Sequence, residues 1–273
     1  MLWLAALALL AMILVMAAAW SVQKRTRNAG WVDAFWSFGT GVTGAVCALV
    51  PLPGEGFHPP SWRAVLIACL ALLWSGRLGL YIVRRTAGSQ REDARYARFR
   101  SEWGARFDAR MFGLLMIQAL VAALLAICVM LAARCPVHGI RALDVAAALL
   151  LAGSVYGEAL ADAQMHRFRR DNAGGGKVCD IGLWRWSRHP NYFFECLAWC
   201  AYPLFAFDPS FRWPWGLAAI AGPASMIWLL TRVSGIPPLE REMLQSRPDA
   251  YRRYQARVSA FVPLPPSKKG LLF

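Results

Sequence analysis

Seven apolar stretches, at roughly 2–20, 34–52, 64–83, 111–133, 143–162, 192–208 and 213–231, restrict this chain to very few folds. Most approach the ~20 residues that a helix needs to cross a hydrocarbon core. The fifth is apolar in its first half and increasingly polar in its second. The sixth is short and relies on its aromatic flanks. With 58% of the 273 residues hydrophobic and 17% charged, the composition lies far from that of a soluble domain. The pattern predicts an all-α polytopic membrane protein with seven transmembrane helices.

Charge placement sets the expected orientation. A net charge of +14 invites comparison with a nucleic-acid binder, but the positive residues are sorted by loop rather than gathered for one polyanion. With seven spans, loops one, three and five and the C-terminal tail share one side and hold 25 of the Lys and Arg residues. The opposite side holds four, Arg63, Arg134, Arg141 and Arg212, while Arg77 lies inside the third span. This bias predicts an N-terminus outside and a C-terminus in the cytoplasm. No positive charge precedes the first stretch, and Lys24, Arg25 and Arg27 follow it. That order predicts a retained helix rather than a cleaved signal peptide, despite the plausible cleavage site at Ala17-Ala18-Ala19.

The chain reads as one domain without internal repeats, which argues against a transporter built from matched halves. The seven cysteines are odd in number and form no CxxC pair, so a disulfide framework is not expected. Cys196 and Cys200 share a helix face, yet small buried hydrophobes explain them better than a metal does. The loop from Arg84 to Arg110 carries Tyr96, Phe99 and Trp103 at helical spacing among arginines. It reads either as an amphipathic interfacial helix or as a solvated basic loop. Gly174-Gly175-Gly176-Lys177 has the wrong spacing for a phosphate-binding loop, and Val178 stands where Ser or Thr belongs, so a hinge is expected. No GxGxxG motif is present, and any dinucleotide would be held without a Rossmann unit.

Polar groups inside apolar spans cost free energy unless they have partners or face a cavity. In the third span Arg77 shares a face with Trp74 and Tyr81. In the fifth, Glu158, Asp162 and His166 follow one another at i+4, with Tyr156 nearby and Arg167, Arg169 and Arg170 after them. Glu195 lies one turn below Asn191 in the sixth. Either Glu158 or Glu195 is expected to neutralise Arg77. Buried ion pairs could explain each group singly, but their clustering in spans three, five and six favours a polar cavity open to the cytoplasm.

Residues 182–195 sharpen that expectation. Gly-Leu-Trp-Arg-Trp-Ser-Arg-His-Pro-Asn-Tyr-Phe-Phe-Glu places Arg185, Arg188, His189, Asn191 and Tyr192 where a charged loop enters an apolar helix. With Arg169 they form a basic rim suited to phosphate oxygens, and the acids and Asn191 suit ribose hydroxyls or a carboxamide. Anionic lipid headgroups would suit the rim too, but they leave the acids unexplained. In the tail, residues 239–257 have helical character, with Glu240 and Glu242 in the first turn and Tyr251 and Tyr254 on one face.

The pattern Glu158-x3-Asp162-x6-Arg169, then Gly182-Leu183-Trp184, then Ser187-Arg188-His189-Pro190-Asn191-Tyr192-x2-Glu195, resembles the bacterial family DUF1295. That family is similar to the C-terminal domain of steroid 5α-reductases. Asp33-x2-Trp36, Glu92-Asp93-x-Arg95-Tyr96 and Ser259-Ala260-Phe261-Val262-Pro263 fit the same family. The resemblance implies seven membrane helices opening to the cytoplasm and NADPH as cofactor. It also implies hydride transfer to the β-carbon of a lipophilic enone, in a bacterial inner membrane. It divides the single domain into substrate-side helices, 1–140, and a cofactor half, 141–273. The expected cofactor contacts are Asp162, Arg169, Arg188, His189, Asn191, Tyr192, Glu195, Tyr251 and Tyr254. The reductases carry a Gln-Glu pair in span two and a tyrosine where Trp74 stands; both are absent here, which leaves Tyr81, Glu158 and Arg77 as catalytic candidates. Arg188-His189-Pro190-x-Tyr192 also resembles isoprenylcysteine carboxyl methyltransferases, which use S-adenosylmethionine and usually carry glycine where Phe194 stands. They have a late Glu-Glu pair, where this chain has Glu240-Arg241-Glu242. A non-enzymatic lipid-binding membrane protein is the third reading. The expected partners are a lipophilic small molecule and membrane lipid, with neither nucleic acid nor metal.

Overall fold

The computed structural model describes residues 1–52, 59–89, 92–137, 139–172 and 175–267. The elements among them are helical, with Ser187 and Ser259 forming an isolated bridge. Helices satisfy their own backbone groups, which is what apolar runs of this length require in lipid. Six are long and apolar enough to cross a membrane. They are α1 (Leu2–Thr26), α2 (Gly30–Leu49), α3 (Trp62–Ala87), the run Arg95–Ala133, α6 (Ala142–Asp171) and the run Pro214–Ser246. The fourth contains most of α4 (Ala94–Trp103) and all of α5 (Phe107–Ala133). The last joins a 3₁₀ segment, α9 (Ala221–Trp228), a π-helical turn at Leu229–Val233 and α10 (Ile236–Ser246).

The stretch read as the sixth span, 192–208, divides into α7 (Pro190–Trp199) and α8 (Ala201–Ala206). Neither helix has the length of a crossing. At the join, the Cys200 N–H reaches both Cys196 O, at 3.3 Å, and Leu197 O, at 3.1 Å. Pro203 then lacks the N–H that would carry an uninterrupted ladder forward.

Packing groups the chain into two compact units. The first comprises Met1–Ala148 and Tyr202–Gly222, and the second Leu149–Ala201 and Pro223–Phe273. In the first, α2 and α3 approach closely through small residues. A Cβ added to Gly41 would lie 2.1 Å from Ser75 Cβ, and one added to Gly79 would lie 2.6 Å from the Phe38 ring. Met12, Met16, Met111, Leu115 and Ala119 fill the core between α1 and α5. Tyr96, Phe99 and Trp103 of α4 pack on this same core, with Phe99 and Trp103 stacked at 4.6 Å. The loop is therefore an amphipathic helix whose aromatics face protein. Its three arginines all take carboxylate partners: Arg95 donates to Asp33 at 2.7 Å, Arg100 to Glu92 at 2.8 Å, and Arg98 to Glu102 at 2.5 Å.

These bonds join sequence features that had looked separate. The Tyr96 hydroxyl also donates to Asp33, at 2.7 Å, and Glu92 accepts from the Ala29 N–H at 2.9 Å. Asp33 and Glu92 thus tie the start of α2 to α4. Elsewhere in this unit Arg63 and Asp144, 2% and 1% exposed, form a buried ion pair. Arg63 donates further to Phe205 O, while Arg141 binds Asp144 at 2.8 Å and Phe205 O at 3.0 Å. Two of the four cations expected on the sparsely charged side are accordingly held by one acid.

In the second unit, the C-terminal chain is strapped along the segment before α7. Arg188 N donates to Ser259 O at 2.8 Å, Leu264 N to Trp186 O at 2.9 Å, and Ser187 Oγ to Phe261 O at 2.7 Å. α11 (Pro248–Arg257) is fixed by the buried Tyr254, whose hydroxyl donates to Trp184 O. The π-helical turn ends with Ser234 N bonded to Leu229 O at 2.8 Å. At Gly235 a Cβ would come within 2.4 Å of Leu230 O, so only glycine fits this joint without adjustment.

Candidate functional site

The second unit brings four of the expected polar residues onto two facing helices. Glu158 and Asp162 lie one turn apart on α6, and Asn191 and Glu195 one turn apart on α7. The acids are each 5% exposed. Asn191 Nδ2 donates to Asp162 Oδ1 at 3.4 Å, linking the helices. Trp199 Nε1 donates to Glu195 Oε1 at 3.0 Å. Close approach is possible because Gly157 faces the Phe194 ring; a Cβ there would lie 2.5 Å from it. His166 and Tyr156 do not join this group, since both are exposed, Tyr156 by 70%.

The helix entrance is built from specific local bonds. Pro190 opens α7 at its first position, where a missing N–H costs nothing. Gly182 adopts φ 56°, letting the Gln164 side chain press against it and accept from the Leu183 N–H at 2.9 Å. Trp184 Nε1 donates to Ala161 O at 2.9 Å, fastening the segment to α6. Gly175 and Gly176 adopt positive φ, 76° and 85°, which glycine does without strain; Gly174 lies outside the described residues.

The rim divides into exposed and engaged cations. Arg169 and Arg185 are exposed. Arg188 instead donates through Nε to Glu240 at 2.7 Å, and through Nη1 to Val258 O at 2.6 Å and Gln255 O at 3.3 Å. His189 Nε2 lies 3.2 Å from the same Glu240 oxygen, and its ring stacks on Tyr192 at 5.6 Å. Burial holds the His189 pKa below its ordinary value against the opposing pull of Glu240. Burial likewise pushes the Tyr251 and Tyr254 hydroxyls up, so both stay protonated at neutral pH.

Arg77 and Tyr81 belong to the first unit, with the guanidinium carbon 5.6 Å from the Tyr81 ring centroid. Trp74 beside them is 2% exposed and meets Trp36 edge-to-face at 6.3 Å. That unit also holds a cavity of about 710 Å³, lined by Leu49, Pro60, Arg63, Arg134 and Trp213 among others; no predicted site residue lines it. Sequence reasoning did not reach Glu240, Gln255 or Trp199 as members of the site. For Glu240 the sequence offered two signals, its place in the first turn of a polar tail helix and the likeness of Glu240-Arg241-Glu242 to the methyltransferases' late Glu-Glu pair.

These features define a class: an all-helical protein with membrane-length helices and a buried acid–amide cluster at a basic helix entrance. The particular family follows from comparison, because residues 19–258 match DUF1295, described as proteins of unknown function. The chain belongs to this family of steroid 5α-reductase-like membrane proteins. It is also 29% identical, over 89% of its length and 75% of the relative's, to an uncharacterized protein of Schizosaccharomyces pombe. No solved structure matches it.

Proposed function

We propose that this protein is a membrane-embedded, NADPH-dependent reductase of a C=C bond in a lipophilic enone. The observation carrying this reading is the pairing of Glu158 and Asp162 on α6 with Asn191 and Glu195 on α7. Those residues fit a nucleotide cofactor: buried carboxylates and an amide hold hydroxyl and carboxamide groups, and exposed Arg169 and Arg185 supply phosphate partners. NADPH would supply the hydride. The chain's own task is to orient the reacting groups, exclude water and deliver a proton; Tyr81 or Glu158 is the candidate donor, and Arg77 is the third catalytic candidate. Seven crossings with a cytoplasmic C-terminus would place the nucleotide side in the cytoplasm of a bacterial inner-membrane protein.

The Arg188-His189-Pro190-x-Tyr192 segment and the Glu240 bond to it favour one competitor, an S-adenosylmethionine-dependent membrane methyltransferase. Thermal-shift binding of detergent-solubilised protein with NADPH, NADH and S-adenosylmethionine separates the readings, because stabilisation follows free ligand relative to Kd. NADPH is expected to raise Tm, and Asn191→Ala to weaken that response. Stabilisation by S-adenosylmethionine alone would refute the reductase, and silence toward all three in a folded sample would favour a lipid-binding protein.

A further inference from the structure

The Glu240 carboxylate is the meeting point of donors from separate segments. Arg188 Nε donates to Oε1 at 2.7 Å, and His189 Nε2 lies 3.2 Å from that oxygen. Gln255 Nε2 donates to Oε2 at 2.8 Å, and Tyr251 interacts with both Glu240 and Arg188. A guanidinium, an imidazole and a carboxamide converging on two oxygens is a donor set suited to phosphoryl groups. Arg188 does not depend on Glu240 for its position, since Nη1 is tied separately to Val258 O and Gln255 O. Ser187 and the Arg188 backbone are pinned by Phe261 and Ser259. Glu240 is carried differently. Its helix, α10, is entered through the π-helical turn and Gly235, an irregular joint of the kind that serves functional movement.

We propose that Arg188, His189 and Gln255 form a cradle for a phosphoryl group, and that Glu240 is its built-in competitor, displaced when the ligand's anion enters. The nucleotide identity of that ligand rests on the reductase reading; the cradle itself rests on the converging donors. Exchange keeps every donor satisfied while the Glu240 side chain turns aside. The apparent affinity for the anion is reduced by the fraction of time that Glu240 occupies the cradle.

Full-length protein in detergent, wild-type and Glu240→Ala, is titrated with inorganic pyrophosphate, adenosine 2′,5′-bisphosphate or phosphatidylglycerol micelles, and Tm is read. The half-stabilising pyrophosphate concentration is expected to fall roughly tenfold in Glu240→Ala. Adding Arg188→Gln is expected to abolish that gain. A response unchanged or weaker in Glu240→Ala overturns the proposal. Should that variant not fold, Glu240→Gln, which keeps the shape and removes the competing charge, is expected to lower the half-stabilising pyrophosphate concentration as well, and an unchanged response overturns the cradle. Adenosine bisphosphate acting alone identifies a nucleotide source, and phosphatidylglycerol acting alone a lipid one; both support the cradle. NADPH binding to both proteins with the pyrophosphate response unchanged in Glu240→Ala would remove the cradle and keep the reductase. NADPH silence with a sharpened pyrophosphate response would do the reverse.

Discussion

At the scale of single residues, the charges of this protein act through specific partners. Asp144 carries the heaviest local burden, because it answers two guanidinium groups while 1% exposed. Asp144→Asn removes the charge and keeps the shape, leaving Arg63 buried against a neutral amide. Breaking a buried pair in this way costs about 3 kcal/mol. The expected outcome is a clear fall in unfolding midpoint, by heat or by denaturing detergent; a midpoint equal to wild type would mean that the carbonyl of Phe205 suffices for both arginines. Arg141 lies three residues before its acid, Asp144, but Arg63 was legible in the sequence only as a sparse cation, since its partners lie far along the chain. The same limit hid Glu240: nothing in local spacing links position 240 to position 188. By contrast Asp162 and Asn191 stood out, because a polar residue on an otherwise apolar helix is costly enough to be informative by itself.

At the scale of elements, small residues decide which helices meet. The sequence showed apolar stretches and placed most helices within a few residues. It could not show that Gly157 receives Phe194, because a contact between helices has no signature along one chain. Nor did hydropathy reveal the break at Cys200, where two short helices replace the expected sixth span. The Gly157 contact also explains how a phenylalanine can stand where the methyltransferases usually have glycine: the space is provided on the opposite helix. Gly157→Val is expected to cost about 1–3 kcal/mol by overpacking α6 against α7. Phe194→Ala in the same chain should recover part of that loss. A double-mutant cycle measures the coupling, and strict additivity would show that the ring and the glycine act independently.

At the scale of the whole molecule, the charge bias makes a prediction about sidedness. Ser101→Cys and Ser210→Cys place exposed thiols on loops of opposite expected side. In intact cells a membrane-impermeant maleimide should label position 210 and reach position 101 only after permeabilisation; the reverse pattern would invert the proposed topology. The two packing units have a different consequence, for synthesis. Each is assembled from segments that are not contiguous, so the ribosome completes neither in a single pass. Arg63 emerges 81 residues before Asp144 and 142 before Phe205, its two firmest partners. The first unit must wait, with a charged side chain unmet, until much of the second has been made. Nascent chains stopped before α6 should therefore be the most exposed to quality-control proteases, and passage of Asp144 into the bilayer marks the earliest point at which the early helices can settle.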